Sequence, residues 1–117
     1  AAAVSTFMWN ARVDRKDVVI WNVVPWWDET IKIRAAEWTH GLRHLEMLME
    51  ALPRLQAVVL VGKKAGRAAP LFQSRGLPVW HSAHPSARVR AAYPAQYGAI
   101  QGIWAEAARS VYQGPER

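Results

Sequence analysis

Apolar residues change their spacing several times along this chain, and each change marks an element. Val4 to Ala11 reads as a short helical lead-in. Asp17-Val18-Val19-Ile20-Trp21 is β-branched and apolar after its first residue, the pattern of a buried strand. Asp28 to Arg34 is mixed and polar, as in an excursion loop. From Glu37 to Leu52, apolar residues recur at Trp38, Leu42, Leu45, Met49 and Leu52. That spacing traces one helical face, which Pro53 ends. Ala57-Val58-Val59-Leu60-Val61 reads as a second buried strand, closed by Gly62. Lys63 to Gln73 reads as a helix, although Gly66 and Pro70 suit one poorly. Leu77-Pro78-Val79-Trp80 reads as a short third strand, and Pro78 places it near an edge. Tyr97, Ile100, Trp104, Ala107 and Val111 share one face of a final helix, before a tail from Gln113 to Arg117. Strands alternating with helices predict a parallel sheet covered on both faces: a three-layer α/β/α sandwich with a short, mainly parallel sheet.

In such a sheet, ligands bind outside the carboxyl ends of the strands. Two segments put polar side chains there: Ile20-Trp21-Asn22-Val23-Val24-Pro25-Trp26 and His81-Ser82-Ala83-His84-Pro85-Ser86. Pattern alone therefore turns Asn22 and His84 toward one shared site. An amide reads a hydrogen-bonding edge, and an imidazole donates to a developing anion.

Length and composition narrow the class. A chain of 117 residues is expected to form one domain, 1–117. No apolar run approaches a membrane span, and Ala1 to Trp9 has no basic n-region, so the expectation is a cytoplasmic protein with no membrane partner. Cysteine is absent, which excludes disulfides, thiolate metal sites and cysteine-ligated clusters. Fifteen Lys and Arg against nine Asp and Glu give +6, and much of the excess lies in Lys63-Lys64-Ala65-Gly66-Arg67 and Arg88-Val89-Arg90. Such a balance suits a polyanionic partner, or simply a solvated surface.

At this point the chain resembles the uracil-DNA glycosylase superfamily. The resemblance rests on a strand ending in Asn (Val19-Ile20-Trp21-Asn22), on Val59-Leu60-Val61-Gly62-Lys63-Lys64-Ala65, and on His84-Pro85-Ser86, in matching order and spacing from about Val4 to Ala108. It implies DNA as partner, no cofactor, and excision of uracil or a related damaged base by N-glycosidic hydrolysis. Asn22 matches the residue that reads the extruded base. An amide meets a ring N–H and its adjacent carbonyl together, whereas cytosine would leave one group unpaired. His84 matches the residue that donates to the pyrimidine carbonyl as the bond breaks, where a fixed donor favours the transition state. Ser86 matches a contact to the DNA backbone. Arg88 occupies the place, just after the His-Pro-Ser block, of the residue that fills the gap left by the base; many relatives carry Leu there. Lys63 and Lys64, expected at a helix start after a strand, suit phosphate.

One family block has no counterpart. The loop with the water-activating Asp or Asn lies upstream of these motifs in relatives, and nothing in Ala1 to Arg12 replaces it. The expectation is a fragment, or a truncated relative lacking the family's first strand, with a sheet edge open to homo-oligomers. An inactive nucleic-acid-binding relative is the alternative, and a small-molecule-binding or structural domain on the same fold is a third reading.

Other residues have plainer readings beside these. Without the resemblance, Asn22 before a Pro-containing turn would be a turn former. Trp26 and Trp27 follow the first strand, where they would either stack on a base or pack in a loop. Trp21, Trp38, Trp80 and Trp104 lie on apolar faces and are expected in the core. His40 and His44, four apart on the helix, have a metal-ligand spacing but are expected on its polar face, and no metal site is assigned.

Overall fold

The computed structural model describes residues 2–21 and 35–112. These fall into two compact units, one built from 1–18 and 56–117 and the other from 19–55.

In the first unit the N-terminal segment forms helix α1, Ala2–Asn10. A short 3₁₀ turn, Arg15–Asp17, follows, begun by Asp14, whose side chain accepts from the Lys16 N–H. Strands β1, Val58–Val61, and β2, Val79–Ser82, pair in parallel. The register sets Val58 beside Val79 and Val61 beside Ser82. Parallel strands need a crossover, and helices α3, Lys63–Gly66, and α4, Ala69–Gln73, supply it. Helices α5, Ala87–Ala92, and α6, Pro94–Tyr112, complete the unit.

The core follows from strand alternation. Val59 and Val61 pack with Met8, Ile100, Trp104 and Ala108, so α1 and α6 cover one face. Leu60 and its register partner His81 point to the other face. There a Cβ on Gly66 of α3 would stand 3.3 Å from His81 Nδ1. Helices on both faces bear out the α/β sandwich, with a short two-stranded parallel sheet among the described residues. Ile100 is fully buried and anchors the α1–α6 side. Phe7 joins it through edge contacts to Tyr97 and Trp104, with centroids 5.8 and 5.7 Å apart.

Four local expectations are corrected. The strand expected over Asp17–Trp21 does not form: Val18 to Trp21 lies in no strand, and Val19 and Ile20 are exposed. β-branched residues favour extended backbone, but a strand also needs a ladder partner. Trp21 is exposed for the same reason and is not a core residue, whereas Trp104 is buried and Trp80 half-buried. The helix expected over Lys63–Gln73 is two helices, broken after Gly66, with Pro70 in the first turn of α4, where its missing N–H costs nothing. β2 starts two residues later than expected, because Pro78 contributes only its carbonyl to the ladder, accepting from the Val58 N–H at 3.0 Å.

The second unit contains helix α2, Ala35–Ala51, with Leu45 and Met49 of the expected stripe buried and His40 and His44 exposed.

The end of α6 is tied to the segment after α1. Tyr112 donates its O–H to Asp17 Oδ2 at 2.7 Å and accepts from the Asp14 N–H at 3.0 Å. The Asp14 N–H lowers the phenol pKa, but the Asp17 carboxylate and partial desolvation outweigh it, so the net shift is upward from 10.0. A raised value means that the folded state prefers the neutral phenol, so this tie is intact below pH 10 and is lost as pH rises through the folded-state value. Tyr112→Phe is therefore expected to cost less than about 1 kcal/mol at neutral pH, the tie being solvent-exposed. In denaturant titrations the gap from the parent protein should close above pH 10; a gap that widens there would contradict this.

Candidate active site

The carboxyl ends of β1 and β2 are built from their own local rules. The ladder extends one residue beyond β1, with the Gly62 N–H donating to the Ser82 carbonyl at 2.9 Å. Gly62 then turns the chain into α3 with φ +88°, a left-handed conformation that favours glycine. A Cβ built there would lie 3.9 Å from His84 Cβ, so His84 stands directly beside this turn. Lys63 and Lys64 open α3 immediately after it, Lys63 exposed and Lys64 half-buried.

On the β2 side, the Ser86 N–H donates to the His84 carbonyl at 2.8 Å, enclosing Pro85 in a three-residue turn. The proline ring holds φ near the value such a turn needs. Pro85 is itself buried while His84 is exposed, so the imidazole is carried on an anchored turn. Ser86 then caps α5, its Oγ accepting from the Val89 N–H at 3.2 Å. This capping role went unread in the sequence, although a Ser ahead of a helical run can signal it. The cap uses an oxygen lone pair and leaves the Ser86 O–H as a donor.

Arg88 lies in the first turn of α5 and is exposed. The segment after His-Pro-Ser is thus a helix. Packing holds α5 in place: the Arg90 guanidinium sits 5.9 Å from the Tyr97 ring centroid, and Tyr97 meets Phe7. Ser82, read as a residue beyond the strand, is its last member. Its Oγ accepts from Trp104 Nε1–H at 2.9 Å and donates to the Ala83 carbonyl at 3.0 Å. That pins the approach to His84 onto α6.

His84, Ser86, Lys63 and Lys64 thus follow the carboxyl ends of the two strands, and Arg88 lies in the helix that comes next. Asn22 and Trp26 lie outside the described residues. No Asp or Glu occurs between Glu50 and Glu106, while Lys63, Lys64, Arg67, Arg75, Arg88 and Arg90 all fall there. The positive field of this segment has no acidic counterweight from its own sequence, which favours a polyanion. Among the described residues, no three His, Asp or Glu gather as metal ligands, and no helix is long and apolar enough to cross a membrane. Two shallow concavities, of about 340 and 380 Å³, lie on α1 and α6, away from His84.

A family model described as the uracil DNA glycosylase superfamily matches residues 3–108. The chain belongs to the uracil DNA glycosylase superfamily. No curated protein and no solved structure matches the chain significantly. For a member of this superfamily, the glycosylase-like α/β fold accounts for the parallel pair of strands and the helices that cover them. The match spans both strands, the Gly62 turn and the His84-Pro85-Ser86 turn.

Proposed function

We propose that this superfamily member recognises uracil, or a related damaged base, in DNA and excises it by hydrolysing the N-glycosidic bond. The observation that carries the proposal is the anchored His84 turn beside Gly62 and Lys63, in a chain whose superfamily acts on DNA. A target base must leave the helical stack before its glycosidic bond is reached. Asn22 reads the extruded base, and Trp26 stacks on it. His84 donates to the carbonyl on which charge develops as the base departs. Ser86, Lys63 and Lys64 hold phosphates, and Arg88 enters the space that the base vacates.

The test is cleavage of uracil-containing single- and double-stranded oligonucleotides, followed as abasic product. Asn22→Ala should lose about 10- to 100-fold in rate, the cost of leaving a base edge unpaired. Binding should weaken steeply with salt, and replacing Lys63 by alanine should lower that log–log slope by about one. Binding without product would favour the alternative, an inactive nucleic-acid-binding relative, which the basic segment between Glu50 and Glu106 also supports. Neither binding nor product would overturn both readings.

A further inference from the structure

Outside the His84 site, one backbone position is set against its residue type. The end of α1 is closed by paired bonds, Arg12 N–H to the Trp9 carbonyl and Val13 N–H to the Met8 carbonyl, both 3.0 Å. This closure needs a left-handed residue at its centre, usually glycine. Arg12 holds it with φ +62°, the one non-glycine residue with positive φ among the described residues. Such a conformation in a residue with a Cβ carries strain, and an observed outlier of this kind points toward function.

The Arg12 side chain has company. Arg12 and Arg109 line the same concavity of about 380 Å³ with Tyr112, whose hydroxyl is tied to Asp17, with Ala11, Ala105 and Ala108 as its more buried lining and Asn10 at its margin. Neither guanidinium has a hydrogen-bond or ion-pair partner among the described residues. The acids close in sequence do not serve them. Asp14 faces Lys16, Asp17 accepts from Tyr112, and Glu106, three residues before Arg109, makes no ion pair with it. Cations are favoured at helix carboxyl ends. That explains a positive charge at each site, but it does not explain an arginine at the left-handed position. None of His84, Ser86, Lys63, Lys64 and Arg88 lines this concavity, so it is distinct from the His84 site.

We infer that this α1–α6 concavity is a second ligand site, taking the phosphate of a nucleoside monophosphate between Arg12 and Arg109 with its flat ring over the alanine floor. Guanidinium forks match phosphate oxygens, and the alanines offer an apolar surface to a ring. A concavity of about 380 Å³ has room for one nucleotide, held on an open face by its phosphate.

Adenosine 5′-monophosphate is the probe, because a uracil-reading pocket does not accept a purine. Calorimetric titration at constant ionic strength should show it binding more tightly than adenosine or inorganic phosphate. Arg109→Ala and Arg12→Gly should each weaken it about tenfold, the loss of one charge-assisted contact. Arg12→Gly should also melt at a higher temperature than the parent without ligand, through relief of the left-handed strain. That combination, greater stability with weaker binding, is not produced by a variant that merely misfolds. A 5′-phosphorylated oligodeoxyadenylate that binds as tightly as the mononucleotide would assign the site to DNA ends, and one that does not would assign it to free nucleotide. Affinity unchanged in both variants, or no preference for the mononucleotide over adenosine, would overturn the inference, whatever the outcome of the uracil-excision assay.

Discussion

Replacing His84 by alanine is expected, on the proposed function, to slow uracil excision by about 10²–10³-fold, the typical cost of one donor aimed at developing charge. Affinity for DNA without uracil should change little, because the lost interaction strengthens only as the base departs. The fold should also survive. His84 is exposed, and its turn is held by buried Pro85, by the Ser86 N–H to the His84 carbonyl and by the Ser86 cap on α5. None of these uses the imidazole. Single-turnover rates with saturating protein would separate the chemical step from binding. Equal slowing of the rate and loss of affinity for uracil-free DNA would instead make His84 a general DNA contact. An unchanged rate would remove it from the mechanism.

Trp104→Ala should cost about 3–5 kcal/mol, a large share of the roughly 5–15 kcal/mol that holds a domain together. Three losses coincide there. The ring is buried in the core of the first unit, it meets Phe7 edge-on at 5.7 Å, and its Nε1–H satisfies Ser82 Oγ at 2.9 Å. Removing it opens a cavity where α6 covers β1 and β2, and it releases the end of β2 that leads into the His84 turn. A fall in Tm of roughly 15 °C or more is expected. Trp9 is the internal control, the same residue type but 82% exposed. Trp9→Ala should stay within about 0.5 kcal/mol of the parent. Trp104→Phe should fall between, keeping most of the ring but leaving Ser82 without its donor. Melts of the three variants that coincide would show that burial of Trp104 is not what holds α6 to the sheet.

Much of both units was legible because its signals are local. α2 and α6 announce themselves through an apolar period that repeats over several residues and β1 through an unbroken β-branched run, and Pro53 and Gly62 stop α2 and β1 where expected. The His-Pro-Ser block was legible as chemistry and as a position after a strand. The break between α3 and α4 was half-legible, since Gly66 and Pro70 mark weak points without saying whether a helix bends or ends. α5 was missed because it has only 6 residues and no apolar stripe. Its formation rests on the Ser86 cap and on packing against α6, and packing is not written in its own six residues.

Val18 to Trp21 shows where local reading stops. Its β-branched run matches that of β1, yet β1 pairs with β2 and this run pairs with nothing among the described residues. The side chains set the preference for extended backbone, but the ladder depends on a partner far along the chain. By itself, the sequence determined the periods, the breakers, the excess of arginine and the chemistry available at each position. Only the tertiary structure decided that Gly62 lies against His84, that Trp104 reaches Ser82, and that Arg12 and Arg109 share a concavity. Each of those pairs joins segments more than twenty residues apart. Their proximity comes from strand register and helix packing, which no window of neighbouring residues contains.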